Sequence, residues 1–226
     1  IKYSGSQIKK KNLTLGIVNK KTVQMKTMAH IFSTVFQPLL MPIYGIALLF
    51  VYTHFRYTYS QSFWQIMFPV FLFSFALPSI SIFVMYKLKL VSDLSLSIRR
   101  ERFIPYVLAL LSYTFMIFHY YRIGMPSWFL MLTVAPVIVM IFAIIITIWW
   151  KISAHMFGVG SLVGGVMGVS YFVEHTNSSF LIMILFILSG FVGTSRLILR
   201  RHTPGQVYAG FLLGFGVTFA CIGIGA

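Results

Sequence analysis

Seven apolar runs, each long enough to cross a bilayer, take up most of this sequence. They lie at residues 29–55, 62–88, 103–121, 127–150, 153–174, 179–199 and 204–225. A spanning helix needs about 20 apolar residues, and a bilayer admits only helices or closed barrels because every backbone polar group must be paired internally. We therefore expect an all-α integral membrane protein, a bundle of about seven transmembrane helices over residues 29–226.

The composition excludes a soluble domain and argues against a nucleic-acid partner. Hydrophobic residues make up 58% of the 226 residues and charged residues only 9%, whereas a soluble domain carries about 25% charged residues. The formal charge of +15 would suit nucleic acid, but the basic residues cluster at the ends of apolar runs, which is typical of membrane anchoring. Residues 1–28 are polar and lysine-rich, and we expect them to form a solvated N-terminal tail.

The basic residues also predict an orientation. With seven spans, residues 1–28 share one side of the membrane with the loops at 89–102, 151–153 and 200–203. This side, called the near face, holds sixteen of the 18 lysines and arginines, and the far face holds only Arg56 and Arg122. The positive-inside rule then places the near face, with the N-terminus, in the cytoplasm. We expect a multi-pass protein of the bacterial inner membrane.

Three segments on the near face carry the informative polar residues. They are residues 97–105, 151–155 and 195–206. Two predicted spans separate the first segment from the second, and two separate the second from the third. Because an even number of crossings returns the chain to the same side, the three segments can meet at one membrane surface.

The residue types in these segments point to a phosphate site. They supply several arginines, Lys151 and two histidines, His155 and His202, and the chain has only three acidic residues. A carboxylate metal site is therefore not expected, and no cofactor is indicated. Arginine binds phosphate oxygens through paired, charge-assisted hydrogen bonds. One histidine can attack phosphorus while the other protonates the leaving oxygen.

The third segment resembles a motif of the type 2 phosphatidic acid phosphatases, membrane enzymes that remove phosphate from lipids. That motif is Ser-Arg, five residues, His, three residues, Asp. Ser195, Arg196 and His202 match it in place, and Gln206 takes the position of the Asp.

Two further motifs of the family have weaker counterparts here. Ile152-Ser153-Ala154-His155 keeps the serine and histidine of Pro-Ser-Gly-His. The first motif, Lys, six residues, Arg-Pro, is represented by Arg99, Arg102 and Pro105 in a different spacing. The likeness covers roughly residues 85–225 and implies that six of the seven helices form a phosphatase-like core.

The resemblance implies a role for each matching residue. His202 would be the nucleophile that forms a phosphohistidine, and His155 the general acid for the leaving group. Gln206 would orient the imidazole of His202 without the negative charge of the family's Asp. The phosphoryl oxygens would be held by Arg196, Arg102 or Arg99, Lys151, Ser153 and Ser195.

The expected function is hydrolysis of a lipid phosphate monoester or diphosphate without metal. Phosphatidate, phosphatidylglycerol phosphate, a polyprenyl diphosphate and a lipid A phosphate are candidate substrates. One alternative is a catalytically degenerate relative that binds or transports phosphorylated lipids, and another is a purely structural membrane subunit. Beyond the substrate and membrane lipids the sequence indicates no partner, and it leaves the oligomeric state open.

Overall fold

The computed structural model describes residues 22–94, 96, 98 and 100–226, and the regular structure of this part of the chain is entirely helical. Seven of its helices are long and apolar enough to cross a membrane. They are α1 (Thr22–Tyr52), α2 (Phe55–Lys87), α3 (Arg100–Arg122), α4 (Ser127–Trp149), α5 (Ala154–Val173), α6 (Ser179–Ile198) and α7 (Pro204–Gly225). The predicted all-α, seven-span, multi-pass class is confirmed at this level.

The helix bounds differ from the predicted spans mainly in α1 and α2. Residues 22–28, which the composition assigned to the tail, are helical and belong to α1. The rest of that tail, residues 1–21, lies outside the described residues. The second helix begins at Phe55 rather than at 62, because short helical turns at Phe55–Tyr59 and Ser60–Ser62 lead into it.

A break divides α1 into two parts at Gln37, which has an extended backbone with ψ 137°. Pro38 has no backbone N–H to donate, and a proline disfavours the α conformation in the residue before it. A 3₁₀ turn, Pro38–Leu40, and a second helical part, Met41–Tyr52, follow the break. The carbonyls that end the first part are therefore left for other donors.

The central helix of the bundle is α5, whose most apolar window is 72% buried against 22–33% for the other six helices. Its main neighbour is α7. A Cβ added at Gly160 or Gly164 would clash with the backbone carbonyls of Phe211 or Phe215 on α7. The same glycine spacing allows close helix approach in membranes generally. The backbones of α5 and α7 are therefore in direct contact.

The two ends of the bundle differ in character, because successive helices run in opposite directions across it. The helices α3, α5 and α7 begin at the near end, so the positive ends of their dipoles point toward it. At the far end, Phe50, Phe55, Tyr120 and Phe129 pack into a cluster of buried aromatic rings. The rings of Phe55 and Phe129 stack with their centroids 5.4 Å apart.

The glycine contact predicts a measurable loss of stability. A Cβ at Gly214 of α7 would overlap the backbone carbonyl of Phe157 on α5, so Gly214→Ala should force the helices apart. We expect a loss of about 1–3 kcal/mol, the usual cost of overpacking, seen as a lower melting temperature of the purified protein in detergent. Gly216→Ala is the matched control, because a Cβ there meets no atom within 4 Å. If Gly214→Ala and the wild type melted at the same temperature, the contact between α5 and α7 would be contradicted.

Candidate active site at the near end of the bundle

A cavity of about 400 Å³ opens among the near ends of the helices. Its near end is lined by charged and titratable residues from all three segments singled out in the sequence. These residues are Arg102, Lys151, His155, Arg196, Arg201 and His202. The chain thus brings together in space groups that lie up to one hundred positions apart.

His202 lies in the loop before α7 and is held by the capping residues of that helix. Thr203 and Gln206 form a reciprocal capping box. The backbone N–H of Thr203 donates to Oε1 of Gln206 over 3.2 Å, which identifies this atom as the acceptor oxygen. Because Nδ1 of His202 lies 3.1 Å from the same oxygen, it is the donor and carries the proton. The neutral imidazole therefore has its free lone pair on Nε2.

The surroundings of His202 keep its imidazole neutral. Several effects together lower its pKa to about 4. Burial is the largest, the positive charges of Arg196, Arg102 and Lys151 act in the same direction, and the hydrogen bond to Gln206 acts in the opposite direction. At neutral pH the Nε2 lone pair is therefore available as a nucleophile.

His155, in the first turn of α5, is held by Ser33 of α1. Its Nε2 lies 3.0 Å from the carbonyl oxygen of Ser33 and 3.2 Å from the hydroxyl oxygen. The carbonyl is one of those left free by the break in α1, and it can only accept. The proton of His155 is therefore on Nε2. The hydroxyl oxygen of Ser33 also accepts a hydrogen bond of 2.6 Å from Nη1 of Arg196.

Arg102 and Lys151 place further positive charge beside the histidines. The buried side chain of Arg102 donates from Nε to the carbonyl of Leu96 over 2.9 Å and from Nη1 to that of Ile152 over 3.4 Å. The pKa of Lys151 is lowered, first by burial and then by neighbouring arginines. The positive charges of Arg102, Arg201 and Arg196 act on Lys151 from nearby, and the carboxylate of Asp93 acts in the opposite direction.

Several buried polar atoms near the cavity have no hydrogen-bond partner among the described residues. They include Nε of Arg196 and Oγ of Ser153. An unsatisfied buried donor carries the full cost of its lost hydration, more so when charged. An anionic oxygen in the cavity would supply the acceptor that Nε of Arg196 lacks.

Three predicted site residues that the structure describes, Ser153, Ser195 and Gln206, do not line the cavity themselves. Ser153 precedes α5 in the N-cap position, but its side chain makes no capping hydrogen bond. The hydroxyl of Ser195 donates to the carbonyl of Phe191 over 2.7 Å, one helical turn back. Arg99 lies outside the described residues, so the geometry of the first segment rests on Arg102.

Sequence reasoning missed Ser33, which contacts both His155 and Arg196. A lone serine in an apolar span has no signature, and serines at such positions commonly bond to their own helix. Pro38 was the one feature of the sequence that could have helped, because it predicts a break in the helix. It does not predict which side chain donates to the carbonyl that the break leaves free.

Comparisons of the chain with protein-family models, with curated proteins and with solved structures found no match. The phosphatase resemblance therefore stays a prediction from three short motifs. Among the described residues, no group of three or more His, Cys, Asp and Glu side chains could hold a metal ion.

Restoring the family's carboxylate should change the titration of His202. In Gln206→Asp, a carboxylate near Nδ1 would stabilise the imidazolium, and an opposite charge at such a distance shifts a pKa by about one to three units. We expect the pKa of His202 to rise from about 4 toward or above the ordinary value of about 6.5. The measurement is an NMR titration of the ¹⁵N-histidine-labelled protein, with Gln65→Asp on α2 as control. An unchanged pKa would contradict the contact.

Proposed function

We propose that this protein is a membrane phosphoric ester hydrolase that releases phosphate from a phosphorylated lipid through a phosphohistidine, without metal. The observation that carries the proposal is that His155, His202 and Arg196 line one cavity at the near end of the bundle. Gln206 leaves the lone pair of His202 on Nε2, Ser33 holds His155 through its Nε2–H, and Nε of Arg196 has no acceptor among the described residues.

The phosphate would be held first by Arg196, whose Nε has no acceptor among the described residues. Arg196 donates to the hydroxyl oxygen of Ser33, and in the complex a phosphoryl oxygen takes the place of that hydroxyl. A second phosphoryl oxygen accepts from Nε of the same guanidinium, which has no acceptor among the described residues. Arg102, Lys151 and the N-terminal ends of α5 and α7 add positive potential at the same place.

The reaction then needs two displacements at phosphorus. Before the first, a phosphoryl group that binds with one P–OH gives that proton to His155, which becomes an imidazolium. The Nε2 lone pair of His202 then attacks, the bond from phosphorus to the ester oxygen breaks, and the lipid oxygen takes a proton from the imidazolium. In the second, a water oxygen attacks the phosphohistidine while the neutral His155 accepts a proton from that water. The phosphorus–nitrogen bond breaks, His155 returns its extra proton to the inorganic phosphate that leaves, and both imidazoles return to their first state.

Gln206 has a defined part in this scheme. Its oxygen holds the tautomer that leaves Nε2 of His202 free, and Thr203 fixes that oxygen in place. The amide carries no negative charge, so it stabilises the charged phosphoimidazole less than the family's Asp would. We therefore expect turnover to be slower than with a carboxylate in this position.

A protein that binds or transports phosphorylated lipids without cleaving them is the second candidate. Gln206, at the position of the family's Asp, is the observation that favours it. The arrangement of cations supports both candidates, and only turnover separates them.

Phosphate release is the direct test. The purified protein in detergent should release inorganic phosphate from at least one member of a panel of lipid phosphates and diphosphates. His202→Ala should lower the rate by about 10⁶-fold, in line with the loss of a nucleophile or its base in other hydrolases. His119→Ala is the control, because His119 lies near the far end of α3 and does not line the cavity. Equal rates in His202→Ala and the wild type would exclude the mechanism, and binding without release would favour the second candidate.

We further propose that six of the helices form a phosphatase-like core and that the near face is cytoplasmic in a bacterial inner membrane. Single cysteines introduced in a Cys221→Ala background test the orientation. An impermeant maleimide should label Thr176→Cys, on the far face, in intact cells. Ile98→Cys, on the near face, should react only after the cells are opened. The reverse pattern would place the site outside.

A further inference from the structure

The cavity does not end at the charged residues but continues into the bundle, between α1, α3, α4, α5 and α7. We propose that this deeper part binds one hydrocarbon chain of the substrate, so that the protein selects phosphorylated lipids whose chain enters the protein instead of staying in the bilayer. The proposal rests on the proposed function for the headgroup and adds a binding site for the tail.

The depth of the cavity suits a long chain. Along α5 its wall runs from His155 to Val166, and along α3 from Arg102 to Met116. At a rise of about 1.5 Å per residue these stretches are about 17 and 21 Å long. Half of a bilayer's hydrocarbon core is about 15 Å thick. A chain that fills the cavity therefore reaches past the middle of the membrane.

The wall changes from charged to apolar with depth. All the lysine, arginine and histidine side chains that line the cavity within the described residues lie toward the near end. Further in, the wall consists mainly of aliphatic, methionine and glycine positions, among them Ile46, Leu49, Leu132, Leu162 and Val166. Protein interiors hold few voids larger than a water molecule, so an apolar space of this size calls for an apolar occupant.

The cavity is closed at its inner end. Leu49 and Met116, among its deepest lining residues, belong to the same core as the rings of Phe55, Tyr120 and Phe129. Those three rings are buried and do not line the cavity. A chain can therefore enter and be held, whereas passage to the far face is blocked.

Two glycines leave the space in which the chain would lie. A Cβ added at Gly45 would meet only Leu162, at 3.6 Å, and one at Gly165 would meet Leu132 at 3.4 Å and Thr218 at 3.6 Å. These are ordinary contact distances, so a larger side chain starts without a clash and extends into the cavity. Leu162, opposite Gly45, is seven residues beyond His155, or about 10 Å deep, and Gly165 lies about 15 Å deep.

Chain length provides the experiment. Phosphate release is measured for straight-chain alkyl phosphates from four to eighteen carbons, each below its micellar concentration. For the wild type, kcat/KM should rise about two- to fourfold with each methylene that enters the cavity, and then level off. In Gly165→Leu, kcat/KM should level off at shorter chains than in the wild type. In Gly45→Leu, it should level off at still shorter chains. Gly216→Leu, exposed on α7 with nothing within 4 Å, should match the wild type.

A binding measurement separates this proposal from the proposed function. Hexadecyl phosphonate with a diazirine at the chain end cannot be hydrolysed, and on irradiation it should label the inner parts of α3 and α5 in the wild type and not in Gly45→Leu. If the inner parts of α3 and α5 are labelled but no lipid yields phosphate, the proposed hydrolase activity is rejected and the binding site for the hydrocarbon chain is supported. Gly45→Ala, with its single ordinary contact, provides a milder variant if Gly45→Leu does not fold.

The competing occupant is water. The buried hydroxyls of Tyr106 and Thr218 line the cavity and have no partner among the described residues, so a file of water molecules could bond to them. In that case kcat/KM would not depend on chain length, and the diazirine would label only lipid-facing residues. Either result would overturn the proposal.

Discussion

The contact between the backbones of α5 and α7 sets the geometry on which the site depends. Gly160 and Gly164 of α5 lie against carbonyls of α7, and Gly214 of α7 lies against a carbonyl of α5. Because both helices begin at the near face, this contact also fixes the distance between their first turns. His155 belongs to one of these turns, and His202 immediately precedes the other. Larger side chains at these glycines would push the two helices apart. The two imidazoles would then be separated although no residue of the site had been changed.

The second constraint is electrostatic, since positive side chains from distant parts of the chain gather at the near end of the bundle. Arg102 is buried and donates to the backbone carbonyls of Leu96 and Ile152, and Nε of Arg196 has no acceptor among the described residues. Ionisable groups at membrane depth are costly and are usually kept for function. Burial is the main reason for the low pKa of His202, and the positive charges of Arg196, Arg102 and Lys151 act in the same direction. In the proposed function, the charges that attract the phosphate would therefore also help to keep the lone pair of His202 available.

The sequence was sufficient for the spans and for the meeting of the three segments, because both follow from hydropathy and from counting crossings. It was less reliable for individual side chains. Ser195 and Arg196 are adjacent in the motif, yet one bonds to its own helix and the other reaches the cavity. Ser33 and the cavity itself depend on how α1 packs against α5. Such packing comes from contacts between distant residues, which neither periodicity nor a short motif encodes.

The break in α1 separates two parts of this helix that would contact opposite ends of the proposed substrate. The first part of α1 contributes Ser33, which bonds to His155 and Arg196 at the headgroup site. The second part contributes Gly45 and Leu49 to the wall of the deeper cavity. A phosphate that displaces the hydroxyl of Ser33 would therefore contact α1 near the surface, and the hydrocarbon chain of the same lipid would contact α1 deeper in the bundle. Because Gln37 and Pro38 divide these parts without a continuous hydrogen-bond ladder, the first part can shift while the second stays packed. Headgroup binding would then rearrange the near end of α1 and leave the tail site intact.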